Sequence, residues 1–192
     1  MEDETIARRA FGEVYRVTGR ADQYEFLINA VEASGGRVIY ASNTNRAPLY
    51  LGVQMDSDER LVYPVRITHK VIKNRPDDEV RGQLRYGSEE SWKREHPVGR
   101  DVAGVDVTMI LGVDLEAGII LGLDANLWDP LPMGISFYAK DAEIDQAKDT
   151  GWHVWEKINR AGNKRSEARS PTSLETVVAF APDRLIDYAR LE

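Results

Sequence analysis

Two segments of almost unbroken apolar character, Val105–Val113 and Ile119–Leu123, flank the short link Asp114-Leu115-Glu116-Ala117-Gly118. Apolar runs this short predict strands covered on both faces, and a five-residue link predicts a hairpin between them. Such a pair belongs at the centre of a sheet, with helices packed against it.

The surrounding sequence supplies those helices. Residues 3–17 place Ile6, Ala10, Phe11, Val14 and Tyr15 on one face of a helix that Gly19 ends. A second helix, about Asp22–Ala33, buries Phe26, Leu27, Ala30 and Val31 and stops at Ser34-Gly35-Gly36. A polar helix is expected near 89–95, another over Asp141–Thr150 ending at Gly151, and a further one over Trp152–Arg160. Pro182 opens a last helix with Leu185, Ile186, Ala189 and Leu191 on its face. Strands are expected at Val38–Ala41, Leu49–Val53, Leu61–Lys70, Val80–Tyr86, Ile135–Tyr138 and Leu174–Phe180. Pro64, which has no amide hydrogen, predicts that its strand is an edge or starts irregularly. The fold class is therefore α+β: a central mixed or mainly antiparallel sheet with N-terminal and C-terminal helices packed on it. Residues 1–192 read as a single globular domain, expected to be the N-terminal module of a longer polypeptide.

Composition narrows the functional classes. The chain has no cysteine, which excludes disulfides, thiolate zinc sites and a cysteine nucleophile, and fits a reducing, cytoplasmic setting. Met1-Glu2-Asp3-Glu4 is unlike a signal peptide, and no apolar run approaches the roughly 18 residues of a membrane span. The net charge of −7 opposes nucleic-acid binding on its face. The charge is divided by segment, however: residues 60–100 carry ten basic and six acidic side chains, whereas 101–151 carry ten acids against Lys140 and Lys148. A basic face can exist on an acidic protein when charges segregate this way. Mutual neutralisation of the segments is the plainer alternative.

The basic candidates lie on the expected hairpin. Strand alternation puts Leu61, Tyr63, Val65 and Ile67 on one face and Arg66, Thr68 and Lys70 on the other; Arg81, Gln83 and Arg85 repeat the polar side across the turn that holds Lys73 and Arg75. Arginine, glutamine and threonine on a two-stranded ribbon suit phosphate and base-edge contacts. A solvated sheet face paired to acidic neighbours is the structural alternative. The segment 161–173, with Lys164, Arg165 and Arg169, is expected to be a loop that closes over nucleic acid. Trp152 and Trp155, three apart on the expected helix, would share a face and stack on a base, with Tyr138 and Trp128 in the same pocket and Lys157 and Arg160 beside it. Their alternative role is to plug the core.

A second class is a metal-dependent nuclease, in which Asp106, Asp114 and Asp124 would hold magnesium or manganese for phosphodiester cleavage. Against it, the strand ending at Asp124 lacks the acid-x-lysine pairing of restriction nucleases, and aspartates flanking apolar strands commonly serve turns. His69, His96 and His153 have no zinc-ligand spacing, no Gly-x-Ser-x-Gly is present, and Gly99–Gly104 lacks phosphate-loop spacing. No cofactor is expected outside the nuclease alternative. A third class is a protein-interaction or small-ligand sensor domain whose acidic stretch 101–151 meets a basic partner.

Several strings carry a resemblance. They are Gly104-Val105-Asp106-Val107-Thr108 with Leu111-Gly112-Val113-Asp114, Leu121-Gly122-Leu123-Asp124 through Asp129-Pro130-Leu131-Pro132 and Ile135-Ser136, Gly151-Trp152-His153-Val154-Trp155-Glu156, and Phe180-Ala181-Pro182-Asp183-Arg184. Together they resemble N-terminal domains that precede other domains in bacterial restriction- and defence-type proteins. The resemblance spans most of the chain after about Tyr40 and brings no catalytic motif. It implies a DNA-recognition module, sensing modified DNA in one version, with the chemistry in a downstream catalytic domain.

Overall fold

The computed structural model describes residues 15–69, 79–85, 105–125, 134–158 and 174–192. In chain order these form β1 (Tyr15–Arg16), α1 (Ala21–Ala33), β2 (Arg37–Ala41), β3 (Arg46–Ala47), β4 (Leu51–Met55), β5 (Asp58–His69) and β6 (Glu79–Arg85). There follow β7 (Val107–Asp114), β8 (Ile119–Leu123), β9 (Gly134–Lys140), α2 (Asp141–Thr150), β10 (Trp152–Ile158), β11 (Leu174–Phe180), a 3₁₀ turn (Pro182–Arg184) and α3 (Leu185–Ala189).

The main sheet runs β10-β11-β8-β7-β5-β4-β2, and β6 and β9 branch from β5 in that order. The β5–β7 pair is parallel and its neighbours are antiparallel, so the sheet is mixed, as the sequence pattern predicts. β7 and β8 occupy the centre: every residue from Thr108 to Asp114 and from Ile119 to Leu123 is buried. One face packs Leu51, Val62, Met109, Leu111, Ile120 and Phe180 against Leu27 and Val31 of α1 and Leu185 and Tyr188 of α3. The other packs Tyr63, Val65, Ile110, Leu121 and Val177 against Ile144 and Ala147 of α2. Each fully buried aliphatic side chain contributes about 1.5–3 kcal/mol, so this two-sided core holds the sheet centre rigid. Gly122 is required by the first face. A Cβ there would stand 2.1 Å from the Tyr188 ring, so only a bare backbone lets α3 seat.

Three expectations are corrected. Trp152–Ile158 is strand β10, not a helix, paired residue for residue with β11 from Trp152↔Phe180 to Ile158↔Leu174. The left-handed Gly151, φ 74°, ends α2 with its N–H on the Ala147 carbonyl at 2.8 Å. The Trp-His-Val-Trp segment that follows has the aromatic and β-branched content of a strand. Tyr15 and Arg16 form β1 against β3 rather than the end of a helix; residues 3–14 of that expected helix lie outside the described residues. The helix expected near 89–95 and the loop 161–173 also lie outside them. Finally, β5 is not an edge strand. β4 pairs with Asp58–Val62 and β6 with Arg66–His69, so Pro64 falls in the gap between two partners on that side. Its missing N–H costs no ladder bond there.

Candidate nucleic-acid interface

β5 and β6 pair antiparallel, as expected of these two segments. Arg66 pairs with Gln83 and Thr68 with Arg81, which puts these four positions on one face of the sheet. β9 then adds a strand that the sequence did not attach to the ribbon: Gln83 pairs with Ser136, Arg81 with Tyr138 and Arg85 with Gly134. Two polar rows result, 66–83–136 and 68–81–138, running across three strands about 4.8 Å apart. The side chains of Thr68, Arg81, Gln83, Arg85 and Tyr138 lie outside the described ones, as do residues Lys70, Lys73, Arg75, Trp128, Arg160, Lys164, Arg165 and Arg169.

Arg66 is described, and it is partly committed. Its Nη1 donates to the Gly19 carbonyl at 2.9 Å and its Nη2 to Asp22 Oδ2 at 3.2 Å, joining the ribbon to the first turn of α1. The half-exposed pair adds little stability. Its effect is positional, because it draws Arg66 toward Arg20. Burial, and next the nearby charge of Arg66, hold the Arg20 guanidinium below its ordinary value, with Asp22 opposing. Across the small β1–β3 ribbon, Arg16 stands directly opposite Arg46. Sequence reasoning missed Arg16, Arg20 and Arg46. Each stands apart from other cations in the sequence, and the chain's return through β3 sets Arg46 opposite Arg16.

The aromatic pocket does not assemble. On a strand, residues three apart point to opposite faces. Trp152 packs on Phe180 beneath α3, centroids 5.6 Å apart, whereas Trp155 lies on the α2 face stacked with His153. Tyr138 belongs to β9, separated from β10 in the sheet by β6, β5, β7, β8 and β11. The cation beside the tryptophans is neutralised too. Lys157 Nζ sits 3.4 Å from the fully buried Glu175, and His153 meets Glu143 of α2.

Nor do the three aspartates converge. Asp106 and Asp114 stand at opposite ends of β7, about 25 Å apart at the rise of a strand. Asp106 Oδ2 accepts from the Glu59 N–H at 2.9 Å, bracing the β5–β7 start. Asp114, fully buried, accepts from the Ala117 N–H at 2.9 Å and the Glu116 N–H at 3.1 Å, and pairs with His69 Nε2 at 2.8 Å. These are turn and register roles. Asp124 follows β8 near Tyr188 and Glu192, away from both. Among the described residues no group of three or more His, Asp or Glu side chains could hold a metal ion. No described helix is long and apolar enough to cross a membrane.

The molecule is thus an α+β domain on a mixed sheet, with a polar three-stranded branch at one end and an arginine-flanked helix start beside it. Residues 59–189 match the model of the methylase-associated X1 family, and the chain belongs to that family. The match covers β5 to α3 and so includes the whole branch. An accessory domain of methylase- and restriction-type systems fits this membership and the restriction-type resemblance of its motifs. Comparisons with curated proteins and with solved structures gave no match.

Proposed function

We propose that this domain is the DNA-recognition module of a restriction-modification-type system, working beside a methylase or other catalytic partner. The observation that carries the proposal is the pair of in-register polar rows, Arg66–Gln83–Ser136 and Thr68–Arg81–Tyr138. A twisted ribbon can enter the major groove, where arginine reads guanine and glutamine reads adenine through paired hydrogen bonds. Phosphates flanking the groove accept from the remaining cations and set the register. The methylase-associated family supplies the context in which such a module would act. Recognition of modified bases would use the same rows.

The test is fluorescence anisotropy with labelled duplexes, unmodified and base-methylated, between about 50 and 200 mM salt. Wild-type protein is expected to bind, with affinity falling steeply as salt rises. Arg81→Ala/Arg85→Ala is expected to bind at least about tenfold more weakly with an unchanged circular dichroism spectrum. No binding to any duplex at the lowest salt would refute the proposal.

A further inference from the structure

We infer that Arg16, Arg20, Arg46 and Arg66 form a second contact surface, at the start of α1, which takes the phosphate backbone of the duplex that the ribbon reads. This inference rests on the DNA-binding reading above and extends it to residues outside the hairpin.

The four arginines form two pairs, Arg16 with Arg46 and Arg20 with Arg66, joined by a short stretch of chain. Arg66 donates to the Gly19 carbonyl, and Arg16 lies three residues before Gly19, a span of at most about 11 Å of chain. Arg46 stands opposite Arg16 in an antiparallel pair, so both side chains leave the same side of the ribbon about 5 Å apart. Arg20 is close enough to Arg66 for its guanidinium to feel that charge. Among the described residues the carboxylate paired within this group is Asp22, and Arg66 takes it. Among the described residues, neither Arg16 nor Arg46 has a carboxylate partner.

That arrangement opposes ordinary stability rules. Like charges directly opposite on paired strands repel. The start of a 13-residue helix carries the positive end of its dipole, which disfavours cations. The Arg20 side chain at the N-cap has only donors, so it makes no cap bond, although the Arg20 carbonyl accepts from the Tyr24 N–H at 3.3 Å. In the same turn Gln23 is fully buried, with neither amide atom hydrogen-bonded among the described residues. Asp22 Oδ1 is also taken by the Gln23 backbone N–H at 2.8 Å, so among the described residues four cations have one shared carboxylate between them, an arrangement that an anion completes. Guanidinium forks match phosphate oxygens in pairs, and the cluster spreads over more than one phosphate of a duplex strand. Arg66 belongs to both surfaces, so one continuous DNA can reach the ribbon and the helix start together.

The double variant Arg16→Ala/Arg46→Ala isolates this surface, because no described carboxylate loses a partner. Its affinity for a labelled duplex is expected to fall about tenfold at low salt. The slope of log affinity against log salt should become shallower by about two, one unit for each arginine that releases counterions. The ratio between methylated and unmethylated duplexes should stay at its wild-type value, since phosphate contacts carry no sequence information. Wild-type affinity and slope in the variant would overturn the second surface and leave the ribbon reading standing. A wild-type protein that binds no duplex would overturn both. Loss of binding to labelled poly-glutamate, with duplex binding intact, would reassign the patch to an acidic protein and overturn the nucleic-acid inference. If the double variant fails to fold, Arg16→Gln alone carries the same test, with an expected slope change near one.

Discussion

Two regions of the molecule treat their cations differently. At the β10–β11 end, Lys157 is held by the buried Glu175, and His153 by Glu143. Around the start of α1, Arg16 and Arg46 face each other across the separate two-stranded β1–β3 sheet, and Arg66 and Arg20 share Asp22. Both regions look basic in sequence, and the segment from Trp152 onward looks the more suited to stacking on a base. Cross-strand neighbours reverse that ranking. β11 presents a glutamate opposite Lys157, whereas β3 presents an arginine opposite Arg16. A segment's charge therefore says little about binding until its partner in the sheet is known.

Deleting a cation in each region sharpens the contrast. Lys157→Ala leaves the Glu175 carboxylate buried without its ammonium and is expected to cost about 3 kcal/mol in urea denaturation. It should leave DNA affinity unchanged under native conditions. A loss of affinity without a loss of stability would break the comparison.

Arg16→Ala/Arg46→Ala should behave in the opposite way. Removing a like-charged cross-strand pair is expected to leave stability unchanged or raise it by a few tenths of a kcal/mol, read from the same urea curves. A clear destabilisation would show that the arginines hold the β1–β3 ribbon together, and that the two regions are alike.

The smallest effect is one of pH, at a third ion pair that ties the β4–β5 turn to the end of α3. Arg190 donates to Asp56 through Nε at 2.9 Å and Nη2 at 3.2 Å, and these bonds hold the Asp56 carboxyl below its usual range. A carboxyl depressed by folding stabilises the native state above its unfolded value, and that contribution is lost as pH falls through the folded value. Glu192 works against it: burial raises its pKa, so it favours folding on the acid side and loses that effect as pH rises. Asp56→Asn should therefore lose less stability than wild type as pH falls through the acid range, since the opposing Glu192 remains. An unchanged pH profile would mean that the pair is fully screened by solvent.

Much of the fold was legible because it rests on local patterns. Buried runs located β7 and β8, period-two alternation located β5 and β6 and their polar faces, and Gly151 marked the end of α2 to the residue. The candidate site was legible only where it is contiguous. Arg66, Thr68, Arg81 and Gln83 could be assigned to one face because a hairpin keeps its positions close in sequence. Tyr138 was placed in the wrong pocket, because nothing local shows that β9 pairs with β6. Trp152 and Trp155 misled for a related reason: a spacing of three suits one face of a helix and opposite faces of a strand equally well. Only pairing with β11 decides between them.

By itself, then, the amino-acid order determined the two-sided apolar centre, the ribbon and the α+β class, all of which follow from contacts between near neighbours in the chain. Tertiary structure decided which charges are neutralised and which are left facing water. Lys157 meets Glu175 across 18 residues and Arg16 meets Arg46 across 30, separations at which no periodicity carries information. Coulomb energy depends on distance through space, and the folded sheet alone sets that distance.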